Sequence, residues 1–409
     1  MTKSRCHKPG QTSHVTRRCR GRKYYLKPTP FIRQAMEYQV ARAAQKTRVE
    51  VAGVMTMSNH FHIQLLDPRA NRSDFMQYLV RALTFRLQSL YDLVGQGSMW
   101  QAGQYMDVHK WGLNTELGTL LYIWLNPVAA GLVERVRDWP GFMILPEDWG
   151  KTRTVKKPAV HYGRRGPDEI TYTPRRPGCC RHLDDEELVG LMNRLIGQLE
   201  EHYAAIRRRE GKEVIGVEGV MALDPHDSPD TPTKRAAPSP RTGFSADTME
   251  QVKIMEDQHR SFLDNYERQR QKWVSGQDVA FPAGTLKMRR QTPVICRDVR
   301  PDEPGIYQPI SSGCRVKERQ DPSSDDGGAP PDACDREQSG DSKTLAALPK
   351  ALRGALHFDG DAWEVIFSVV DVSSGSESSK TPPGGSGALR DRRLEIERET
   401  SPQVSASGG

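Results

Sequence analysis

The stretch Ser58-Asn59-His60-Phe61-His62-Ile63-Gln64-Leu65-Leu66 restricts the architecture more than any other part of the chain. Side chains along a strand point in turn to opposite faces. One face here carries Phe61, Ile63 and Leu65; the other carries His60, His62 and Gln64. Such a strand needs a packed layer on its apolar side and leaves two imidazoles on the other. Histidines at i and i+2 on a sheet face can ligate a divalent cation, although the same spacing also occurs in strands that bind none.

The flanking sequence supplies the layer. Residues 14–28 read as a short basic strand, stopped by Pro28 and Pro30. Phe31, Ala35, Tyr38 and Ala41 or Arg42 then recur at helical spacing as far as Lys46. Val49, Val51, Val54, Met55 and Met57 form a β-rich run, and Ser58-Asn59 turns it back into the histidine strand as a hairpin. Ser73-Asp74 offers a cap for a helix with the stripe Phe75, Leu79, Leu83, Leu87 and Leu90, ended by Gly95-Gln96-Gly97. Residues 99–108 read as a strand. A helix capped by Asn114 or Thr115 follows to Asn126, where Pro127 intervenes, and 128–133 read as a second short helix. The order β-α-β-β-α-β-α predicts an α+β domain over 1–150, an antiparallel sheet with helices packed on one face.

Beyond it the composition shifts. Residues 151–180 read as a basic linker rich in Gly and Pro, and 181–295 as a mainly helical extension with apolar stripes such as Leu188, Leu191, Leu195 and Leu199. From 296 to 409 Ser, Gly, Pro and Asp dominate, which predicts a low-complexity and mostly disordered tail, with 355–372 as an apolar exception.

The net charge of +7 is unevenly placed. Glu37 and Glu50 are the only acids in the first fifty residues, against a basic cluster at Arg17, Arg18, Arg20, Arg22 and Lys23. That excess suits a polyanion, foremost nucleic acid, with a solvated surface or a flexible basic arm as the even alternative. The seven cysteines form no CxxC pair or zinc spacing, no apolar run approaches a membrane span, and the basic N-terminus lacks the apolar core of a signal peptide. The expectation is a reduced, cytoplasmic protein with no membrane partner.

A second cluster of chemistry lies in Tyr122-Ile123-Trp124-Leu125-Asn126. Residues i and i+4 lie on one helix face, so Tyr122 and Asn126 point the same way. Alone they could be a half-buried aromatic and a capping amide. Together with the histidine strand they offer a phenol nucleophile, two nitrogen ligands and a neutral oxygen ligand.

At these residues the sequence resembles the REP-associated tyrosine transposases, part of the single-tyrosine HUH superfamily. Met57-Ser58-Asn59-His60-Phe61-His62 is similar to the family's M-P-N-H-x-H hairpin. Tyr122 to Val133 is similar to its Y-I-x-L-N-P-V-R-A-G-L-V. The likeness covers about residues 14–145. It implies a ferredoxin-like or RRM-like HUH fold. It also implies a metal-dependent endonuclease and strand transferase that cuts single-stranded or hairpin DNA through a 5′-phosphotyrosine link. On that reading His60, His62 and Asn126 hold Mg²⁺ or Mn²⁺, Tyr122 is the nucleophile, and the protein is a monomer or homodimer. Basic grooves and aromatic stacking grip single strands, so Arg17, Arg18, Arg20, Arg22, Lys23, Tyr24 and Tyr25 are the candidate DNA contacts; for the tyrosines, sheet packing is the alternative. Ser58, Ala129 and Gln104 stand where relatives have Pro, Arg and Arg, and two of these changes remove positive charge. The same sheet scaffold also serves nucleic-acid binding without catalysis, which is the competing reading.

Overall fold

In the computed structural model the chain enters a central sheet through β1 (Gln11–Arg18). It continues through helix α1 (Pro30–Thr47), β2 (Glu50–Thr56), β3 (His60–Asp67), helix α2 (Arg72–Leu90), β4 (Met106–Trp111) and helix α3 (Leu113–Ala129). Then follow β5 (Met143–Ile144), β6 (Arg153–Lys156), β7 (Glu169–Tyr172), helices α4 (Asp185–Glu210) and α5 (Gly216–Ala222), β8 (Gly243–Ala246), helix α6 (Met249–Val274), β9 (Ala280–Phe281) and β10 (Ile295–Cys296). The structure describes residues 5–103, 105–160, 162, 166–181, 183–230, 243–285, 288, 292–300 and 303–307. All belong to one unit, Met1–Asp371; a second unit, Val372–Gly409, lies outside them. Gln104, the stretch 355–372 and the expected disordered tail from 308 onward also lie outside the described residues.

The sheet has the order β5-β2-β3-β1-β4-β8. Only β4 and β8 run parallel; the other neighbours are antiparallel. Its inner four strands, with α1 and α2, follow the ferredoxin-like plan, in which β1 and β3 lie side by side at the centre. The α+β class and the antiparallel sheet are as the sequence predicts.

Alternation along β3 separates two cores. Phe61, Ile63 and Leu65 join Val15 under α1 and α2, where Ala35, Met36, Phe75, Leu79 and Leu83 close the layer. Helices on one face describe this side. The opposite face carries a further layer, α3 with α4 behind it, built from Met55, Leu117, Leu120, Leu121 and Trp124 with Leu188, Leu191 and Leu195. Gly53, at a bulge in β2, lets α3 approach closely, because a Cβ there would overlap Leu120 and crowd Trp124. The Trp124, Trp139 and Trp149 indoles each donate to a backbone carbonyl, of Ile144, Thr56 and Ala52, at 2.7 to 2.8 Å. Bulky rings thus reach the core with their one polar group satisfied.

Several local expectations change. The start of α2 is served by the buried Asp67 carboxylate, which accepts from the Asn71 and Arg72 amides, and not by Ser73-Asp74. At the start of α3 the Thr115 amide donates to Asp247 Oδ1 (2.7 Å) and the Asn114 amide to Asp247 Oδ2 (3.3 Å), so the cap comes from the extension. Pro127 sits inside α3 and does not stop it; lying in the last turn, it removes only one helical hydrogen bond. Residues 130–133 turn back instead of forming a second helix, with the Gly131 amide bonded to Val128 O and the Leu132 amide to Pro127 O. The fourth strand begins at Met106, later than the sequence suggests. Within the expected linker, β6 and β7 pair as a ribbon whose Val155, Ile170 and Tyr172 pack into the α1 core. The expected extension contributes helices and also β8, a sheet strand. Among the described residues no helix is long and apolar enough to cross a membrane.

Candidate functional site

β1 and β3 pair in register, with His14 opposite Gln64, Thr16 opposite His62 and Arg18 opposite His60. Residues directly opposite in a pair share a face, so β1 adds His14, Thr16 and Arg18 to the histidine side. Helix α3 lies over that side and brings Tyr122 to it. The Tyr122 ring meets His62 edge-on with centroids 5.6 Å apart, and His14 at 6.1 Å. The His60 and His62 rings stand 4.7 Å apart and nearly perpendicular. Asn126 follows one turn after Tyr122 on the same helix face and is half-buried. Tyr122 is 37% exposed and His62 only 3%. The phenol is open to a bound polymer; the imidazole is sealed.

Hydrogen bonds orient both rings. His60 Nδ1 donates to Asn59 Oδ1 at 2.6 Å, which leaves the lone pair on Nε2. Around His62 Nδ1 lie His14 Nε2 at 2.9 Å and Thr16 Oγ1 at 3.0 Å. His62 Nε2 is buried without a hydrogen-bond partner among the described residues. Burial pushes the His62 imidazole down to about 3, with the Arg18 charge adding to it. Burial and then the neighbouring His62 hold His60 and His14 well below the usual histidine range. All three are neutral at neutral pH, the state in which imidazole ligates a cation. An unpartnered buried nitrogen is costly, and a metal ion would satisfy it. The donor chemistry of His60 and His62 therefore fits a divalent cation. Among the described residues no group of three or more His, Cys, Asp and Glu side chains is arranged to hold one, so a third protein ligand has to be of another type.

The polar lining continues beneath α3. Gln64 is fully buried, and among the described residues neither of its amide atoms has a hydrogen-bond partner. Further along, burial lowers Lys110 to about 7 and raises Glu116 to about 7; Glu116 partly offsets the lysine shift. His109, on the other side of the sheet, receives a hydrogen bond from Arg72 Nη2 at 2.8 Å and belongs to a structural network with Asp107 and Gln11.

The candidate DNA contacts divide. Arg18 is exposed beside the histidines. Arg17 donates to Gly103 O (2.9 Å) and Arg20 to Gln96 O (2.7 Å), which ties them to the loop after α2. Arg22, Lys23 and Tyr24 are half-exposed. The Tyr24 amide donates to Asp227 O, and Lys27 Nζ to the Met221 and Leu223 carbonyls, so the extension lines this loop. Tyr25 does not fit as a base-stacking residue. It is 3% exposed and packed between Tyr91 and His226, the packing alternative.

Sequence reading missed Thr16 and Asn59 as orienting groups and gave His14 no orienting role. Their spacing carried a signal: His14 and Thr16 are i, i+2 on a strand, and pairing β1 with β3 puts them on the histidine face. It also missed Tyr203 of α4, whose hydroxyl is pushed up by burial and then by the adjacent Tyr122. Arg207, one turn further, donates to Val128 O at 3.2 Å and pairs with Glu134, holding the end of α3.

No family model matches the chain, and no curated protein matches it. Among solved structures it is similar to a REP-associated tyrosine transposase bound to a REP hairpin. Identity there is 19% and the TM-score 0.30, over 36% of this chain and 84% of that one. It is also similar to a candidate transposase from Deinococcus radiodurans R1, at 20% identity and TM-score 0.21, over 26% of this chain and 84% of that one. Likeness at this level does not define a function.

Proposed function

We infer that the chain nicks and rejoins single-stranded DNA as a transposase does, through a covalent link to Tyr122. The observation that carries this reading is an accessible phenol ring 5.6 Å from a sealed, neutral histidine. His60 Nε2, His62 Nε2 and the side-chain oxygen of Asn126 would hold Mg²⁺ or Mn²⁺. When bound, the ion supplies Lewis acidity at a non-bridging oxygen of the scissile phosphate. The chain's own residues account for the rest. Tyr122 Oη attacks phosphorus, and the new Oη–P bond replaces the P–O3′ bond. The phenol loses its proton on attack and the departing 3′ oxygen takes one up, so protons balance. The 5′-phosphotyrosine link retains the phosphodiester energy, and attack on it by another 3′-hydroxyl rejoins strands without a nucleoside triphosphate. Arg18 stands nearest the histidines to hold a phosphate, with Arg17, Arg20, Arg22 and Lys23 along the approach. The motif resemblance favours a hairpin as the substrate form.

The test is incubation of the full chain with labelled single-stranded hairpins and Mn²⁺, followed by denaturing electrophoresis. A protein–DNA adduct that disappears in Tyr122→Phe is expected. No adduct across a set of hairpins and both metals, or one that persists in the variant, rejects the mechanism.

A further inference from the structure

We propose that His14 is a positioning residue that sets the tautomer of His62, so that His62 offers a bare Nε2 to the metal. This rests on the reading of His60 and His62 as ligands. A neutral imidazole carries one proton, and whichever ring nitrogen holds it cannot ligate. For His62 Nε2 to be bare, the proton must sit on Nδ1 and find an acceptor in a site closed to water. His14 Nε2 lies 2.9 Å away, with the ring centroids 5.1 Å apart and the planes inclined by 25°, an edge-to-edge arrangement that suits an in-plane N–H···N bond. His14 is itself 6% exposed and cannot swing into solvent. Thr16 Oγ1 lies within 3.3 Å of both nitrogens and completes a triangle in which its hydroxyl adapts to whichever arrangement the rings take.

The opposite arrangement has a distinct consequence. With the proton on His14 Nε2, His62 Nδ1 becomes the acceptor and its Nε2–H faces the site as a donor, unable to bind a cation. His60 has no such ambiguity, because the Asn59 side-chain oxygen can only accept. The two ligands are thus oriented by different devices: a local amide for His60, and a histidine on the neighbouring strand for His62. Groups that orient a metal-bound histidine through its second nitrogen commonly change metal affinity 10–100-fold when removed.

Two measurements on the full chain test this without DNA. Nitrogen-15 imidazole NMR of the metal-free protein is expected to find the His62 proton on Nδ1. Mn²⁺ titration followed by electron paramagnetic resonance is expected to give a 10–100-fold weaker site in His14→Phe. His14→Gln places an amide oxygen near the position of Nε2 and is expected to restore affinity to within a few-fold. A His62 proton on Nε2 in the unsubstituted protein overturns the proposal, even if His14→Phe fails to fold. So does unchanged Mn²⁺ affinity in a folded His14→Phe, or the absence of Mn²⁺ binding to the unsubstituted chain. If both results hold and no DNA adduct forms, the strand-transfer reading falls and the role of His14 stands.

Discussion

The two faces of the central sheet are built from the same strands by opposite rules. On the side of α1 and α2, β3 contributes Phe61, Ile63 and Leu65, all at 0% exposure among apolar neighbours. On the side of α3 the intervening residues are His60, His62 and Gln64, and their surroundings include His14, Thr16, Lys110 and Glu116; among the described residues His62 Nε2 and the Gln64 amide have no hydrogen-bond partner. Burying a large apolar side chain stabilises the fold by about 1.5–3 kcal/mol, whereas an unpartnered buried polar group costs about 1–3 kcal/mol. The dry face therefore carries the histidine face, and one strand holds a reactive arrangement at rest because its alternate residues are anchored.

That contrast is easily broken. Tyr122→Phe is expected to remove the DNA adduct completely while shifting stability by no more than about 0.5 kcal/mol, as read from a denaturing gel and a urea melt. Phe61→Ala should do the reverse, costing about 3–5 kcal/mol by urea unfolding, whereas His62→Ala next to it should cost less stability and all of the cleavage. If the two adjacent variants lose stability equally, the division of labour is wrong. Gly53→Ala puts a Cβ against the end of the Leu120 side chain and beside the Trp124 indole, so the packing of α3 on the sheet must shift. About 1–3 kcal/mol of destabilisation is expected, with a loss of cleavage larger than the fraction unfolded explains.

Two smaller effects sharpen the picture on the polar side. Glu116, raised to about 7 by burial, keeps in the folded state a proton that the unfolded chain releases above about pH 4.5. Its contribution to stability therefore falls as pH rises through that window, by at most about 1.4 kcal/mol per pH unit. The neutral His14, His60 and His62 act in the opposite sense below their ordinary pKa of 6.5. Glu116→Gln should make urea midpoints rise more steeply from pH 5 to 7 than in the unsubstituted chain. Arg18→Gln should weaken single-strand binding and reduce the slope of log affinity against log salt by about 0.7, the contribution of one phosphate contact on a single strand. A filter-binding series over salt measures it.

The order β-α-β-β-α-β-α was legible because each element is long enough for its own periodicity to declare it. The pairing of His60 and His62 with Tyr122 was legible through two compact motifs. What stayed hidden depends on partners distant in sequence. The cap of α3 is Asp247, more than a hundred residues away, so the local Asn114 and Thr115 looked like the only choices. The four residues of β8 have too little pattern to declare a strand and gain one only by pairing with β4. His14 could not be given its place until β1 was known to lie beside β3.

Asp247 also bears on the order in which the protein is completed during synthesis. Helix α3 ends at Ala129, and its cap and the strand beside β4 are translated more than a hundred residues later. At about 5–20 residues per second, the gap is on the order of ten seconds. For that interval the helix bearing Tyr122 has an unanswered N-terminus and β4 an open edge. A ribosome-bound chain halted before residue 243 should bind β-edge probes and expose α3 to protease, and one released past residue 275 should resist both.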